Sequence, residues 1–292
     1  SYADPMAKLV LMLLPIACLL AYLASDKRNT AAIRERAVRI LKMLTPKFVL
    51  AMGASADYAL TSTAFLRLYD RSYHDAARTV SEFETFEKTI TGAFINGKCF
   101  EQPSDPASAE FITNVGRKQT RRRIIFLAGE EQIIAWGPCA SSDEKEVGDR
   151  MSVVAANALE RVRTELYGCR IRVAMQCLDL DRVRAGFAEA VEGKRRGCLD
   201  GVAYLARRFS VDPATAVKEY RDAVAFVLAR YELLVRAAVA QNKKASTVDH
   251  REAWGEMLTQ GPTEICPGRS APFVILPRLV PFGFALEDGE VR

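Results

Sequence analysis

The chain opens on an unbroken apolar pattern. From Met6 to Ala24 nineteen residues carry one charge, Lys8. As a helix this segment is about 28 Å long, close to the roughly 30 Å hydrocarbon thickness of a bilayer. Pro15 removes one backbone hydrogen bond and predicts a kink. A cleaved signal peptide shares the short basic start and apolar centre, and a buried core helix is the plain alternative. The length favours a membrane anchor over 1–25, with Leu9, Leu13, Leu14, Ile16, Leu19 and Leu20 facing lipid.

At Ser25 the pattern becomes amphipathic. Ile33, Ala37, Ile40, Leu41 and Leu44 recur at helical spacing, and Phe48 to Leu66 is a second apolar stretch. Asp57 at its centre would cost about 2.5 to 3.5 kcal/mol in a bilayer, so that stretch is read as a helix outside the membrane, continuing amphipathically to about Ile90. The period then shortens. Asn96-Gly97 between two brief apolar stretches predicts a hairpin, and Arg122–Leu127 with Gln132–Trp136 predicts a second, longer one. Ser141 and Glu144 form a capping-box pattern ahead of a helical stripe reaching about Leu166, with Arg161 and Arg163 in its last turn. Residues 170 to 177 alternate, with Ile171, Val173, Met175 and Cys177 on one face, and read as a strand that joins this sheet beneath the 141–166 helix.

The remainder is helical. Segments at about 180–192 and 197–209 precede a long helix opened by Asp212 and Pro213. Along it Val217, Tyr220, Val224, Val227, Tyr231, Leu234 and Ala238 alternate spacings of three and four, which fits an antiparallel helix pair or a contact with another subunit. A short helix at 249–258 leads into a proline-punctuated tail, expected to be extended and to offer Phe273, Phe282 and Phe284 to its own body or to a neighbour. The expected fold is a predominantly helical α+β chain. It divides into an anchor (1–25), a basic juxtamembrane and helical region (26–92), a small α+β unit (93–178), a helical region (179–260) and the tail (261–292).

Composition and charge narrow the function. At 292 residues, 49% hydrophobic and 26% charged, the chain is globular. Its formal charge of +5 is matched by the stretch from Ser25 to Lys47, where seven basic residues meet two acids, so the remainder is neutral on balance. A basic stretch directly after the apolar segment places the body on the cytoplasmic or matrix side, with Lys27, Arg28, Arg34 and Arg36 near lipid head groups. Seven scattered cysteines without a C-x-x-C spacing suit a reducing compartment and no zinc site.

Candidate chemistry is sparse. Arg117, Lys118, Arg121, Arg122 and Arg123 crowd seven residues and could neutralise phosphates, with Phe126 and Trp136 as stacking surfaces. Asp179 and Asp181 could share a divalent cation, as in a metal-dependent transferase, although a helix cap explains them more simply. His74 and His250, each beside an acid, read as surface or capping residues. No P-loop, G-x-G-x-x-G, H-E-x-x-H or G-x-S-x-G is present. The expectation is a non-catalytic, single-span subunit of a membrane assembly of the respiratory, translocation or secretion kind. Its partners are other subunits and lipids; no cofactor, metal or catalytic residue is assigned. Nucleic-acid binding through 117–123 and a transferase built on Asp179 and Asp181 are the alternatives.

Overall fold

The computed structural model describes residues 3–69, 76–101, 110–128, 130–188, 194–245, 248–269 and 271–284. It is predominantly helical with one two-stranded antiparallel sheet. In chain order the elements are α1 (Ala3–Leu11), α2 (Leu13–Ser25), α3 (Ala31–Met43), α4 (Pro46–Tyr69), α5 (Thr79–Ile90), α6 (Ile112–Thr120), β1 (Ile124–Ala128), β2 (Glu131–Trp136) and α7 (Ser141–Gly168). There follow α8 (Arg170–Met175), α9 (Leu180–Ala188), α10 (Lys194–Arg208), α11 (Pro213–Ala240), α12 (His250–Thr259), α13 (Pro262–Ile265) and α14 (Leu276–Phe284). Two compact units result: Ser1–Arg67 with Thr85–Arg161, and Leu68–Glu84 with Val162–Arg292.

In the first unit the expected anchor is two helices rather than one. The Pro15 ring is incompatible with a straight helix through the carbonyl four residues earlier, and α1 ends at that residue, Leu11. The axis then turns by 76° into α2. The carbonyl of Leu11 accepts instead from Gln119 Nε2 at 3.2 Å. Among the described residues no single helix is long and apolar enough to cross a membrane, although the bent pair passes that test of length and composition jointly.

The inner face of α2 lies on the hairpin. Leu13 and Ala17 are buried with Leu41, Leu44, Val49, Phe126, Ile134 and Trp136, and Leu9, Leu14 and Leu20 pack half-buried at the edge of that cluster. Ile16 is half-buried and Leu19 exposed. Phe126 meets Trp136 edge to face at 4.8 Å, and the indole N–H donates to the Leu44 carbonyl at 2.8 Å. The sheet is therefore covered by the N-terminal helices and not, as the sequence suggests, by the helix after Ser141. Pairing runs from Ile124 opposite Trp136 to Ala128 opposite Glu131, with an irregularity after Phe126.

A second constraint fixes α4 to α6. Asp57 is buried, and its carboxylate accepts the backbone N–H groups of Ile112 and Thr113, both at 2.9 Å, together with the Thr113 hydroxyl at 2.6 Å. These are donors that the start of α6 would otherwise leave without partners. Burial raises the Asp57 pKa, and the three hydrogen bonds oppose that rise. The two backbones approach so closely that a Cβ at Gly53 would lie 2.7 Å from the Thr113 Cα, which makes glycine necessary there.

Two expectations for this region fail. Asn96-Gly97 is no hairpin turn: a π-helical turn over Thr91–Ile95 precedes it, Gly97 takes the left-handed conformation (φ 76°), and a 3-10 turn follows over Lys98–Phe100. The flanking arms are too short to pair, so the same dipeptide stops a helix instead. In α7, Ser141 is the first helical residue rather than its cap, whereas the helix ends at Gly168, close to the expected Leu166. Most of the 102–110 loop lies outside the described residues.

In the second unit residues 170–177 are not a strand. They form α8 and a 3-10 turn over Gln176–Leu178. Among the described residues no partner strand lies within this unit, and a helix satisfies its own N–H groups while still burying Ala174, Met175, Cys177 and Leu178. Gly201 of α10 sits so close that a Cβ would lie 2.6 Å from the Ala174 carbonyl oxygen. Asp212 caps α11, accepting the Thr215 N–H at 2.8 Å. The stripe on α11 is occupied inside its own unit: Tyr220, Val224, Val227 and Tyr231 are buried, and Val217, Leu234 and Ala238 pack half-buried beside them. Tyr220 and Trp254 stack 6.0 Å apart and donate to the carbonyls of Cys177 and Leu178, at 2.6 and 3.0 Å.

The tail is not extended throughout. It forms α13 and α14, with Pro277 in the first turn of α14, where a missing N–H costs nothing. Between them the chain is held by Glu219, a buried carboxylate on α11 that accepts the N–H groups of Val274, Ile275 and Leu276 at 2.8, 2.8 and 2.7 Å. Arg269 pairs with Glu219 and Asp222 and lies 4.2 Å over the half-buried Phe273 ring. The side chains of Phe282 and Phe284 lie outside the described residues. Glu219→Ala would strand three peptide donors, while Arg269 would keep Asp222. We expect it to lower stability by about 3 to 5 kcal/mol. Urea denaturation followed by circular dichroism checks this, and a change under about 0.5 kcal/mol would refute the role of Glu219.

Candidate functional site

The polar cluster of the second unit grows from Asp179, at the end of the 3-10 turn. Its Oδ1 accepts the N–H groups of Asp181 and Arg182 at 3.1 and 3.3 Å, so it caps α9, and its Oδ2 accepts the Ser81 hydroxyl at 2.7 Å. Two residues on, Asp181 lies near His250. The sequence places His250 at the surface or in a cap, but it is fully buried at the start of α12. The signal for this was present: His250, Ala253, Trp254 and Met257 form one buried stripe at helical spacing. His74 lies outside the described residues.

Hydrogen bonds fix the imidazole. The Leu180 N–H donates to Nδ1 at 3.4 Å, which leaves the proton on Nε2. Nε2 faces the Tyr231 hydroxyl at 3.3 Å and Asp181 Oδ2 at 3.6 Å, and that hydroxyl donates to Asp181 Oδ1 at 3.0 Å. A chain of donors thus runs from a peptide N–H through imidazole and phenol to a half-buried carboxylate. The His250 hydrogen bond, helped by Tyr231, holds the Asp181 carboxyl below its usual range against the cost of burial. Burial, and then the Asp181 charge, push the Tyr231 phenol well up. Tyr231 was legible only as one position of an apolar stripe; its hydroxyl is what the tertiary structure employs.

Asp179, Asp181 and His250 each offer an atom within 4.8 Å of the others, as a metal centre requires. Their chemistry does not fit one. The Nδ1 lone pair that a ligating histidine would give to an ion is taken by the Leu180 N–H. Asp181 is already flanked by Arg78 at 3.6 Å and Arg184 at 3.7 Å.

The basic residues separate into two groups. Lys27 and Arg28 are exposed after α2, Arg36 is exposed on α3 and Arg34 is half-buried. Arg28 bonds Asp26 and the Tyr22 hydroxyl. In the other cluster Arg117 lies 4.0 Å from Glu144 and Lys118 lies 2.6 Å from Glu110, whereas Arg121, Arg122 and Arg123 are exposed. Phe126 and Trp136 cannot stack on bases, because both are buried under α2 and α3.

Tyr231→Phe leaves the Nε2 proton and Asp181 without their shared partner, and we expect a loss of about 1 to 3 kcal/mol with no change in melting temperature on adding zinc or manganese. The pH dependence has a definite sign. A carboxyl whose folded pKa is depressed stabilises above its unfolded value, near 3.8, and that stabilisation fades as pH falls through the lower folded value. The stability gap between the parent and Asp181→Asn should therefore be constant above about pH 5 and close below about pH 4. A metal-induced rise in melting temperature, or a gap that widens in acid, would contradict this geometry. No family model, curated protein or solved structure matches the chain.

Proposed function

We propose that the protein is a non-catalytic subunit of a membrane-held assembly, with its body on the cytoplasmic or matrix side. The observation that carries this reading is α2, thirteen residues without a charge, apolar on the face it turns outward as well as on the face packed against the sheet. A surface helix facing only water has a polar outer side. The Asp179–Asp181–His250 cluster supports a structural reading, since its donors and acceptors are engaged with one another and with backbone groups. Binding to nucleic acid is the second reading, favoured by the exposure of Arg121, Arg122 and Arg123.

Fractionation of cells expressing the full chain tests the first reading. The protein should sediment with membranes, and after detergent extraction it should elute far above its own 32.3 kDa. A monomer in the soluble fraction would overturn it. Retention on heparin that is lost in Arg121→Gln/Arg122→Gln/Arg123→Gln, without membrane association, would establish the second.

A further inference from the structure

The outward face of α2 is specific enough to say how a membrane is met, and this inference rests on the membrane reading above. Met12, Pro15, Leu19 and Tyr22 follow one another at helical steps of three and four and are exposed; Met12, Leu19 and Tyr22 retain 53%, 57% and 55% of their accessible surface. The opposite face carries Leu13 and Ala17, both at 0% in the protein core. A spanning helix surrounded by lipid would have to withdraw these from Trp136 and Leu41. Length argues the same way: α2 rises about 20 Å, two-thirds of a hydrocarbon layer, and the 76° bend carries α1 off its axis.

We infer that α2 lies in the plane of an anionic bilayer surface, its Met12–Tyr22 face set among the acyl chains while its Leu13–Ala17 face stays seated on the hairpin. Charge identifies the occupant. The Arg28 guanidinium, bonded to the Tyr22 hydroxyl at 3.0 Å, stands beside the apolar stripe, Lys27 is its exposed neighbour, and Arg36, Arg39 and Lys42 are exposed on the next helix. An aromatic ring with a polar tip beside cations is the chemistry of the head-group boundary. A second copy of the chain would bring the same positive charges face to face. The hairpin adjoins this helix, Ser25 Oγ lying 3.4 Å from the Leu127 carbonyl, and it exposes Ile125 and Leu127.

Flotation of the purified full chain with vesicles tests this, using phosphatidylcholine alone and phosphatidylcholine with roughly one-third phosphatidylserine. The protein should float with the anionic vesicles, be released by alkaline carbonate, and bind less tightly between about 0.1 M and 0.5 M salt. Met12→Asp with Leu19→Asp should weaken binding at least tenfold with an unchanged melting temperature, because both side chains face outward. Lys27→Gln and Arg36→Gln should each cost about fivefold on anionic vesicles and nothing on neutral ones. Carbonate-resistant binding means a span, and overturns the inference while the membrane reading stands. Failure to float, or binding indifferent to the aspartate pair, also overturns it; the membrane reading is then judged separately by fractionation. A native mass halved by the aspartate pair would make the occupant a second copy.

Discussion

A carboxylate removed from water survives in this protein where peptide N–H groups replace its hydration, and three such carboxylates organise the chain. Asp57 on α4 receives the start of α6, Asp179 begins α9, and Glu219 on α11 receives the approach to α14. Each answers the same need. The first turn of a helix presents donors with no intrahelical partner, and a buried turn cannot give them to water. For Asp57 and Glu219 the acceptor comes from another helix 55 or more residues away in sequence, so the hydrogen bonds that satisfy a helix start also specify which helix lies beside it. The cost of burying charge is offset locally, and the dipole of the receiving helix end adds to the attraction.

The same logic accounts for the Asp–His–Tyr cluster. Once Asp179 is committed to α9, the following turn brings the Leu180 N–H to His250, and this one donor decides the tautomer of a fully buried ring. The other ring nitrogen, Nε2, faces Tyr231 and Asp181. A group of side chains that by type resembles a metal set is thereby joined in one hydrogen-bond network.

The first unit has a different emphasis. Its hairpin is only two strands, too small to be stable alone, and it gains its support from the helices that precede it. Leu13 and Ala17 are thus part of a core although they belong to the most apolar stretch of the sequence. The bend at Met12 makes this possible, and Pro15 enforces it four residues beyond the carbonyl it releases. The outcome is a helix with two apolar faces. One is used within the fold, and the other, with Leu19 and Tyr22, is exposed.

Elements whose signals are local are legible in the chain without its fold. Asp212 before Pro213 opened the long helix, Asp57 kept the second apolar stretch from reading as a span, and the longer hairpin and the helix after Ser141 follow from periodicity over many residues. Such signals act within one turn or one pair of neighbouring strands, so no distant residue is needed to interpret them. The remaining features depend on contacts between distant segments. Asn96-Gly97 and residues 170–177 carry strand-type patterns, but a strand forms only where a partner strand is present to take its N–H groups. The burial of His250, the engagement of the α11 stripe and the docking of the tail through Glu219 each join residues at least 19 positions apart. Their energy exists only once the chain has brought them together, because hydrogen bonding and burial depend on what surrounds a group and not on its identity.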